Sequence, residues 1–155
     1  SVLEYQRQRP GALRAGVEIV ATDLSSEMLQ KCELGIYDEL SLARGLSPQR
    51  RQAFFQQNES GLMQVKPDVR RMVSFRSLNL LSSYAALGRF DIVFCRNVLI
   101  YFDVPTKRQI LKRIRELMHP DGFLFLGAAE MPMSVDNAYE RVDVARAGCY
   151  RIRDT

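Results

Sequence analysis

The sequence lacks the features that mark membrane and secreted proteins. No apolar run approaches the roughly 18 residues that a membrane-spanning helix needs. The most apolar stretch, Phe90–Phe102, is interrupted by Asp91 and Arg96. The first residues, SVLEYQRQRP, do not have the layout of a signal peptide. We therefore expect a cytoplasmic protein that does not insert into a membrane.

Cysteine and histidine are scarce. The three cysteines, Cys32, Cys95 and Cys149, are widely spaced and odd in number, which argues against a disulfide framework or a cysteine metal site. Three idle thiols in a reducing compartment are the simplest interpretation. The one histidine, His119, lies at the predicted end of a helix, where it favours the helix dipole more readily than it catalyses a reaction. We predict no metal site.

A glycine-rich nucleotide-binding loop is also missing, because no G-x-G-x-x-G occurs in the chain. In a nucleotide-binding sheet such a loop precedes the strand that ends in an acid. Here the first predicted element is a helix, Leu3–Arg14, and the acid-tipped strand follows it. We expect the strand and the phosphate- or cofactor-binding loop of such a sheet to lie upstream of this chain.

The 155 residues, 46% hydrophobic and 26% charged, suit one compact domain and exclude a disordered or fibrous chain. The net charge of +4 is unevenly spread. Residues 44–76 hold seven basic and two acidic residues, whereas residues 1–43 hold four basic and seven acidic ones. This basic stretch predicts either an acidic partner or a solvated polar face.

The order of predicted elements is typical of an α/β domain with a mainly parallel sheet. Buried strands are predicted where short apolar runs end in polar residues, and helices where caps precede apolar residues at helical spacing. Strands are predicted at Val17–Asp23, Gly61–Val65, Arg71–Phe75, Phe90–Cys95, Phe123–Gly127, Tyr139–Asp143 and Gly148–Arg153, and the last two as an antiparallel hairpin. Helices are predicted after Ser25, from Pro48, and over Pro105–Met118, and a turn at residues 119–122.

Polar residues follow three of these strands. They are Asp23, the Asn79-Leu80 pair and the Arg96-Asn97 pair, and ligands of open α/β sheets bind beyond the carboxyl ends of the strands. A carboxylate only accepts hydrogen bonds, so Asp23 suits the vicinal hydroxyls of a ribose. The alternative is that Asp23 caps the next helix, as acids at strand ends often do.

Several motifs together resemble the CheR-type chemotaxis receptor methyltransferases. They are I19-V-A-T-D-L-S, S77-L-N-L-L, F90-D-I-V-F-C-R-N-V-L-I-Y-F-D and L117-M-H-P-D-G-F-L-F-L-G-A-A-E, and they extend over nearly all of the chain. The resemblance implies a class I S-adenosylmethionine-dependent methyltransferase fold, with a Rossmann-like sheet and a small inserted β subdomain at about residues 50–76. It implies transfer of a methyl group from S-adenosylmethionine to glutamate side chains of chemoreceptors, which leaves S-adenosylhomocysteine.

The resemblance also implies roles for individual residues. Asp23 would bind the ribose hydroxyls, and Asn79 and Leu80 would contact the adenine. Arg96 and Asn97 would lie against the cofactor.

The resemblance also implies that Arg96 and Tyr101 face the transferring methyl group and the incoming carboxylate. These two residues are the predicted catalytic residues. The basic segment Arg50–Arg76 would contact the receptor. Phe54–Gly61 is similar to the members that do not need a receptor pentapeptide. Where the family has Gly-His-Ser-Glu, this chain has Gly127-Ala128-Ala129-Glu130, and no role is predicted there.

The resemblance implies that the chain corresponds to the C-terminal part of these enzymes, without their N-terminal helical domain and first cofactor-binding loop. Two other functions stay open. One is a non-catalytic binding or regulatory module on a methyltransferase fold. The other is nucleic-acid methylation, which the modest charge and the absence of an Asn/Asp-Pro-Pro-Tyr motif disfavour, so no nucleic-acid partner is predicted.

Overall fold

The computed structural model describes residues 1–13, 15–144 and 147–153. The chain forms two compact units, Ser1–Leu78 and Asn79–Thr155. Arg14, the predicted end of the first helix, lies outside the described residues. Among the helices of the described ranges, none combines the length and the apolar composition that crossing a bilayer requires.

The described part of the first unit contains five helices and five short strands. Its helices are α1 (Val2–Gln8), α2 (Ser26–Leu34), α3 (Glu39–Ala43), α4 (Pro48–Phe54) and α5 (Pro67–Arg70), and its strands are β1 (Ile19–Asp23), β2 (Ile36–Tyr37), β3 (Phe55–Gln57), β4 (Met63–Val65) and β5 (Val73–Ser77). The first helix is shorter than predicted and ends at Gln8. Pro10 and Gly11 follow its C-cap at once, and neither residue favours continuing a helix.

Helix boundaries in this unit follow the capping residues of the sequence. The Ser25 hydroxyl accepts a hydrogen bond from the Met28 N–H at 3.2 Å, which satisfies a free donor of the first turn of α2. Gly35 ends α2 with φ 61°, a left-handed conformation that glycine adopts without a Cβ clash. Ser47 caps α4, whose first residue is Pro48. The predictions for these two helix starts are confirmed.

Two separate sheets form within the first unit. β1 pairs in parallel with β5, from Ile19 opposite Val73 to Asp23 opposite Ser77. β2, β4 and β3 form an antiparallel sheet in that order. The β excursion expected over about residues 50–76 corresponds here to β3 and β4. β2 precedes residue 50, and β5 joins β1 instead.

The second unit is built on one four-stranded sheet. Its strands are β6 (Phe90–Cys95), β7 (Met118–Leu126), β8 (Tyr139–Val142) and β9 (Gly148–Ile152), in the order β6-β7-β9-β8, and α6 (Val104–Leu117) joins β6 to β7. β6 and β7 are parallel because the long α6 crossover returns the chain to the same end of the sheet. β8 and β9 form the predicted antiparallel hairpin.

Two expectations about this sheet are wrong in detail. The predicted turn at residues 119–122 is part of β7, because Met118 already pairs with Phe90. The register then shifts between Phe90 and Ile92, so that residues 119–122 form an irregular stretch of this strand. The sheet is also not mainly parallel. Among the described residues, parallel pairing is confined to β1 with β5 and β6 with β7.

One face of the four-stranded sheet carries the core of the second unit. Leu124 and Leu126 of β7 are buried, and the buried Tyr139 of β8 donates its hydroxyl to the Leu111 carbonyl of α6 at 2.8 Å. α6 buries four apolar side chains at helical spacing: Ile110, Leu111, Ile114 and Leu117. α6 therefore packs on this face, as its amphipathic pattern predicted.

The opposite face of the same sheet is apolar and open. Phe94 of β6 stacks on Phe125 of β7 with ring centroids 5.0 Å apart, yet Phe94 is 70% exposed. Ile92 and Phe123 pair beside them and are 51% and 36% exposed. Strand alternation places all four side chains on one surface.

We predict that Ile110→Ala lowers the free energy of unfolding by about 2–5 kcal/mol, because it empties a fully buried site on α6. The matched control Ile92→Ala removes the same atoms from the exposed face and should cost less than about 1 kcal/mol. Urea denaturation followed by circular dichroism measures both. Equal losses for the two variants would contradict the assignment of the core to the α6 face.

Candidate functional site

The residues predicted for the site are divided between the two units. Asp23 is the last residue of β1, in the first unit. Asn79 and Leu80 open the second unit, directly after β5 and Leu78. Arg96 and Asn97 follow β6 without an intervening residue. Each group therefore lies at, or just past, the carboxyl end of a parallel strand, where α/β sheets bind ligands.

Asp23 does not cap α2, whose N-cap is Ser25, but it shapes the turn that leads into this helix. Its Oδ1 accepts a hydrogen bond from the Ser25 N–H at 2.8 Å, which shapes the turn into α2. Among the described residues nothing donates a hydrogen bond to its Oδ2, and the side chain is exposed. One oxygen thus serves the local turn, and the other remains available to a hydroxyl donor. The Asp23 carbonyl also accepts the Leu78 N–H at 3.0 Å.

Asn79 is used in the same divided way. Its Oδ1 accepts the Leu81 N–H at 2.9 Å, and its side chain is exposed, so its Nδ2 is left to donate outward. The half-buried Leu80 is held through its carbonyl, which accepts the Tyr84 hydroxyl at 2.6 Å and Arg113 Nη1 at 3.2 Å. Burial raises the pKa of Tyr84 to about 12, so this phenol stays protonated and keeps donating at neutral pH.

The segment after β6 changes abruptly from buried to exposed. Cys95 is buried, and burial together with the nearby Glu130 carboxylate raises the pKa of its thiol to about 11. The Arg96 side chain is exposed, and no described residue forms a hydrogen bond with it. Asn97 has φ 58°, a left-handed conformation that is uncommon outside glycine. Tyr101 ends a 3-10 turn, Leu99–Tyr101, with its side chain 80% exposed.

Glu130 is a residue that sequence reasoning missed. Its carboxylate is buried and accepts backbone N–H groups from the segment that carries the predicted site residues, including that of Asn97 at 2.7 Å. The available signal was an acid among apolar residues three positions after Gly127, at the end of a buried strand. Ala128 and Ala129 replace the two central residues of the Gly-His-Ser-Glu motif, whereas Glu130 is kept.

Most basic side chains of the segment Arg50–Arg76 have partners inside the first unit. Lys66 Nζ donates to the carbonyls of Gln52 and Ala53, at 2.9 Å each, and Arg70 donates to those of Glu33 and Val73 at 2.9 and 3.0 Å.

The remaining basic side chains differ in how they are held. Arg50 pairs with Glu4, and Arg51 with Glu39. The side chains of Arg44 and Arg71 are exposed, and no hydrogen bond or ion pair joins these two side chains to the described part of the chain. The basic surface is therefore narrower than the sequence count suggests.

The chain is similar to known methyltransferases along nearly its whole length. The family described as CheR methyltransferase, SAM binding domain, matches residues 3–148. Chemotaxis protein methyltransferase 1 of Pseudomonas aeruginosa is 49% identical over 150 residues, which cover 97% of this chain and 55% of that protein. Chemotaxis protein methyltransferase 1 of Vibrio cholerae is 46% identical over 153 residues, which cover 99% of this chain and 55% of that protein.

Among solved structures, PKMT2 from Rickettsia typhi in complex with AdoHcy has a TM-score of 0.44 and 17% identity, and the match covers 70% of this chain and 15% of that one. This likeness is too distant to assign a function. The chain spans about half the length of the curated relatives it matches. Because the family matches residues 3–148 and these two relatives are 49% and 46% identical over nearly the whole chain, the chain belongs to the CheR methyltransferase family.

Proposed function

We propose that this chain binds S-adenosylmethionine and takes part in methylating glutamate side chains of chemoreceptors. The products are γ-glutamyl methyl esters and S-adenosylhomocysteine, and the setting is adaptation in chemotaxis in the cytoplasm. The observation that carries the proposal is the set of exposed polar groups at the strand ends, on motifs that the family shares. The names of the curated relatives, which are chemotaxis protein methyltransferases, support the same function.

The side chains present fit the cofactor by their hydrogen-bonding chemistry. The free Oδ2 of Asp23 suits a ribose hydroxyl, and the outward Nδ2 of Asn79 suits a ring nitrogen of adenine. The Leu80 side chain supplies an apolar contact for the base. We assign Arg96 and Asn97 to the same cofactor because they follow the next parallel strand of the sequence.

The proposed reaction requires little acid–base catalysis from the protein. When bound, the cofactor supplies an electrophilic methyl group on a positively charged sulfur. The acceptor glutamate is already ionised at neutral pH, so no general base is required. Arg96 orients the carboxylate by charge-assisted hydrogen bonds, and Tyr101 lies beside the reacting groups. Holding them in line is the main catalytic contribution of these residues.

For the receptor, we propose that the chemoreceptor is recognised without a C-terminal pentapeptide. The segment Phe54–Gly61 supports this, because it is similar to family members that do not need one. In the structure it runs from the end of α4 through β3 into a tight loop, where Asn58 Oδ1 accepts the N–H groups of Ser60 and Leu62 at 3.0 and 2.9 Å. Arg71 is the exposed cation that we assign to the acidic acceptor surface.

The ribose role of Asp23 can be separated from its turn role. Asp23→Asn keeps an acceptor for the Ser25 N–H but removes the carboxylate, so affinity for S-adenosylhomocysteine should fall by roughly 1–3 kcal/mol, about 5- to 150-fold in Kd. Isothermal titration calorimetry measures this loss. Asp38→Ala is the control, because Asp38 caps α3 in the same unit through Ser41 and should destabilise without weakening binding. Unchanged affinity in Asp23→Asn would refute the ribose role.

Arg96→Ala should lower the rate of receptor methylation by about 100-fold, since the carboxylate is then poorly aligned. The receptor cytoplasmic fragments are methylated with tritiated S-adenosylmethionine, and the assay measures the tritiated methanol that base releases from the methyl esters. Arg89→Ala, which removes an arginine just before β6, is the control and should retain activity. If the unmodified chain binds S-adenosylhomocysteine but releases no methanol, a non-catalytic binding module is the correct function.

The receptor role of the basic segment is tested by comparing two adjacent arginines. Arg71→Glu should weaken receptor methylation through a higher KM for the receptor, with cofactor affinity and stability unchanged, because its side chain is exposed. Arg70→Glu should instead lower the melting temperature, because Arg70 ties two carbonyls and lies 4.7 Å from the centre of the Phe75 ring. An unchanged receptor KM in Arg71→Glu would count against the proposed docking surface.

A further inference from the structure

Glu130 carries a carboxylate that is buried in the second unit. It is 5% exposed, and within the described residues it forms no salt bridge. A buried charge without a partner costs several kcal/mol, so such a group needs compensation from its surroundings. The groups that donate hydrogen bonds to the Glu130 carboxylate therefore show which part of the chain it holds.

Five backbone N–H groups supply that compensation. Oε1 accepts those of Val98, Leu99 and Ile100 at 2.9, 2.7 and 3.3 Å. Oε2 accepts those of Asn97 and Gly127, both at 2.7 Å. Burial alone would raise the pKa of Glu130, but these hydrogen bonds outweigh it and the pKa lies below its usual value. The side chain is therefore an anion at neutral pH.

Four of the five donors are consecutive, from Asn97 to Ile100. A run of N–H groups that converge on one anion forms a nest, which requires an unusual backbone bend. Asn97 provides it with φ 58°. In the chain, Arg96 comes directly before this bend and after the end of β6, and the 3-10 turn that ends at Tyr101 follows it.

Gly127 leaves room for this arrangement. A Cβ atom at Gly127 would lie 2.3 Å from Asn97 Oδ1 and 2.7 Å from Glu130 Oε2, which is too close for either atom. The backbone of Glu130 is also held by hydrogen bonds. The Glu130 N–H donates to the Gly127 carbonyl at 3.0 Å, and the Glu130 carbonyl accepts the Tyr150 hydroxyl of β9 at 3.4 Å.

We propose that Glu130 is a positioning residue, whose carboxylate holds the backbone of Asn97–Ile100 so that Arg96, Asn97 and Tyr101 are preorganised for cofactor and acceptor. This inference rests on the proposed function of those three side chains. Glu130 itself contacts backbone groups of the segment and acts only through it. Preorganisation matters because a site that must order itself on binding loses affinity to the ordering entropy.

The test compares Glu130→Gln with Ile110→Ala in calorimetry with S-adenosylhomocysteine and in methylation kinetics, at a temperature where both variants are folded. Glutamine has the same shape, but its amide nitrogen faces N–H donors in either orientation, so the nest loses acceptors. We expect at least a tenfold weaker Kd and a lower kcat. Ile110→Ala destabilises the same unit without touching the nest, and should bind as the unmodified chain does. Glu130→Asp keeps the charge and should recover part of the affinity.

The outcomes separate the two proposals. If the unmodified chain binds and Glu130→Gln loses no more affinity than Ile110→Ala, the positioning role is wrong and the proposed function stands. If the unmodified chain does not bind S-adenosylhomocysteine, the proposed function fails and the positioning role fails with it. A second measurement needs no variant: adding S-adenosylhomocysteine should shift the amide NMR resonances of Asn97–Ile100. Binding that leaves all four unchanged would overturn the positioning role.

Discussion

A single buried carboxylate organises the most distinctive segment of this protein. The N–H groups that follow β6 have no strand to pair with, because β6 ends at Cys95 and the chain turns outward. Buried N–H groups without acceptors are rare in folded proteins. Glu130 satisfies four of them at once, together with that of Gly127. The exposed side chains of Arg96 and Tyr101 are presented from this fixed backbone.

The candidate ligand-binding side chains also show how one polar group has two uses. Asp23 and Asn79 each use one side-chain atom to shape a local turn and leave another atom free. The turn restricts the side-chain rotamer, so less conformational entropy is lost when a ligand binds the free atom. A side chain that shapes a local turn can therefore still offer a polar atom to a ligand.

Some basic side chains of the first unit stabilise the fold and do not form the charged surface that the sequence suggests. Lys66 and Arg70 donate to backbone carbonyls at the ends of helices and strands, and so stabilise the fold. A count of basic residues includes such groups along with those that face solvent. Only the coordinates separate Arg70, which is held, from Arg71, which is exposed. Long cationic side chains pack their stems and reach partners far along the chain, so sequence position says little about their availability.

By itself, the sequence determined the type and order of most elements, since apolar periodicity, caps such as Ser25, Ser47 and Asp103, and the Gly35 stop are local signals. It also indicated the family, through motifs whose residues are adjacent in the chain. Tertiary structure alone decided strand partners, since β5 pairs with β1 across some 50 residues and β9 lies between β7 and β8. It likewise decided the role of Glu130, because the Asn97–Ile100 donors to its carboxylate are about 30 residues away in the chain. Hydrogen bonds between distant segments depend on which parts of the chain the fold brings together, and a local sequence pattern does not contain that information.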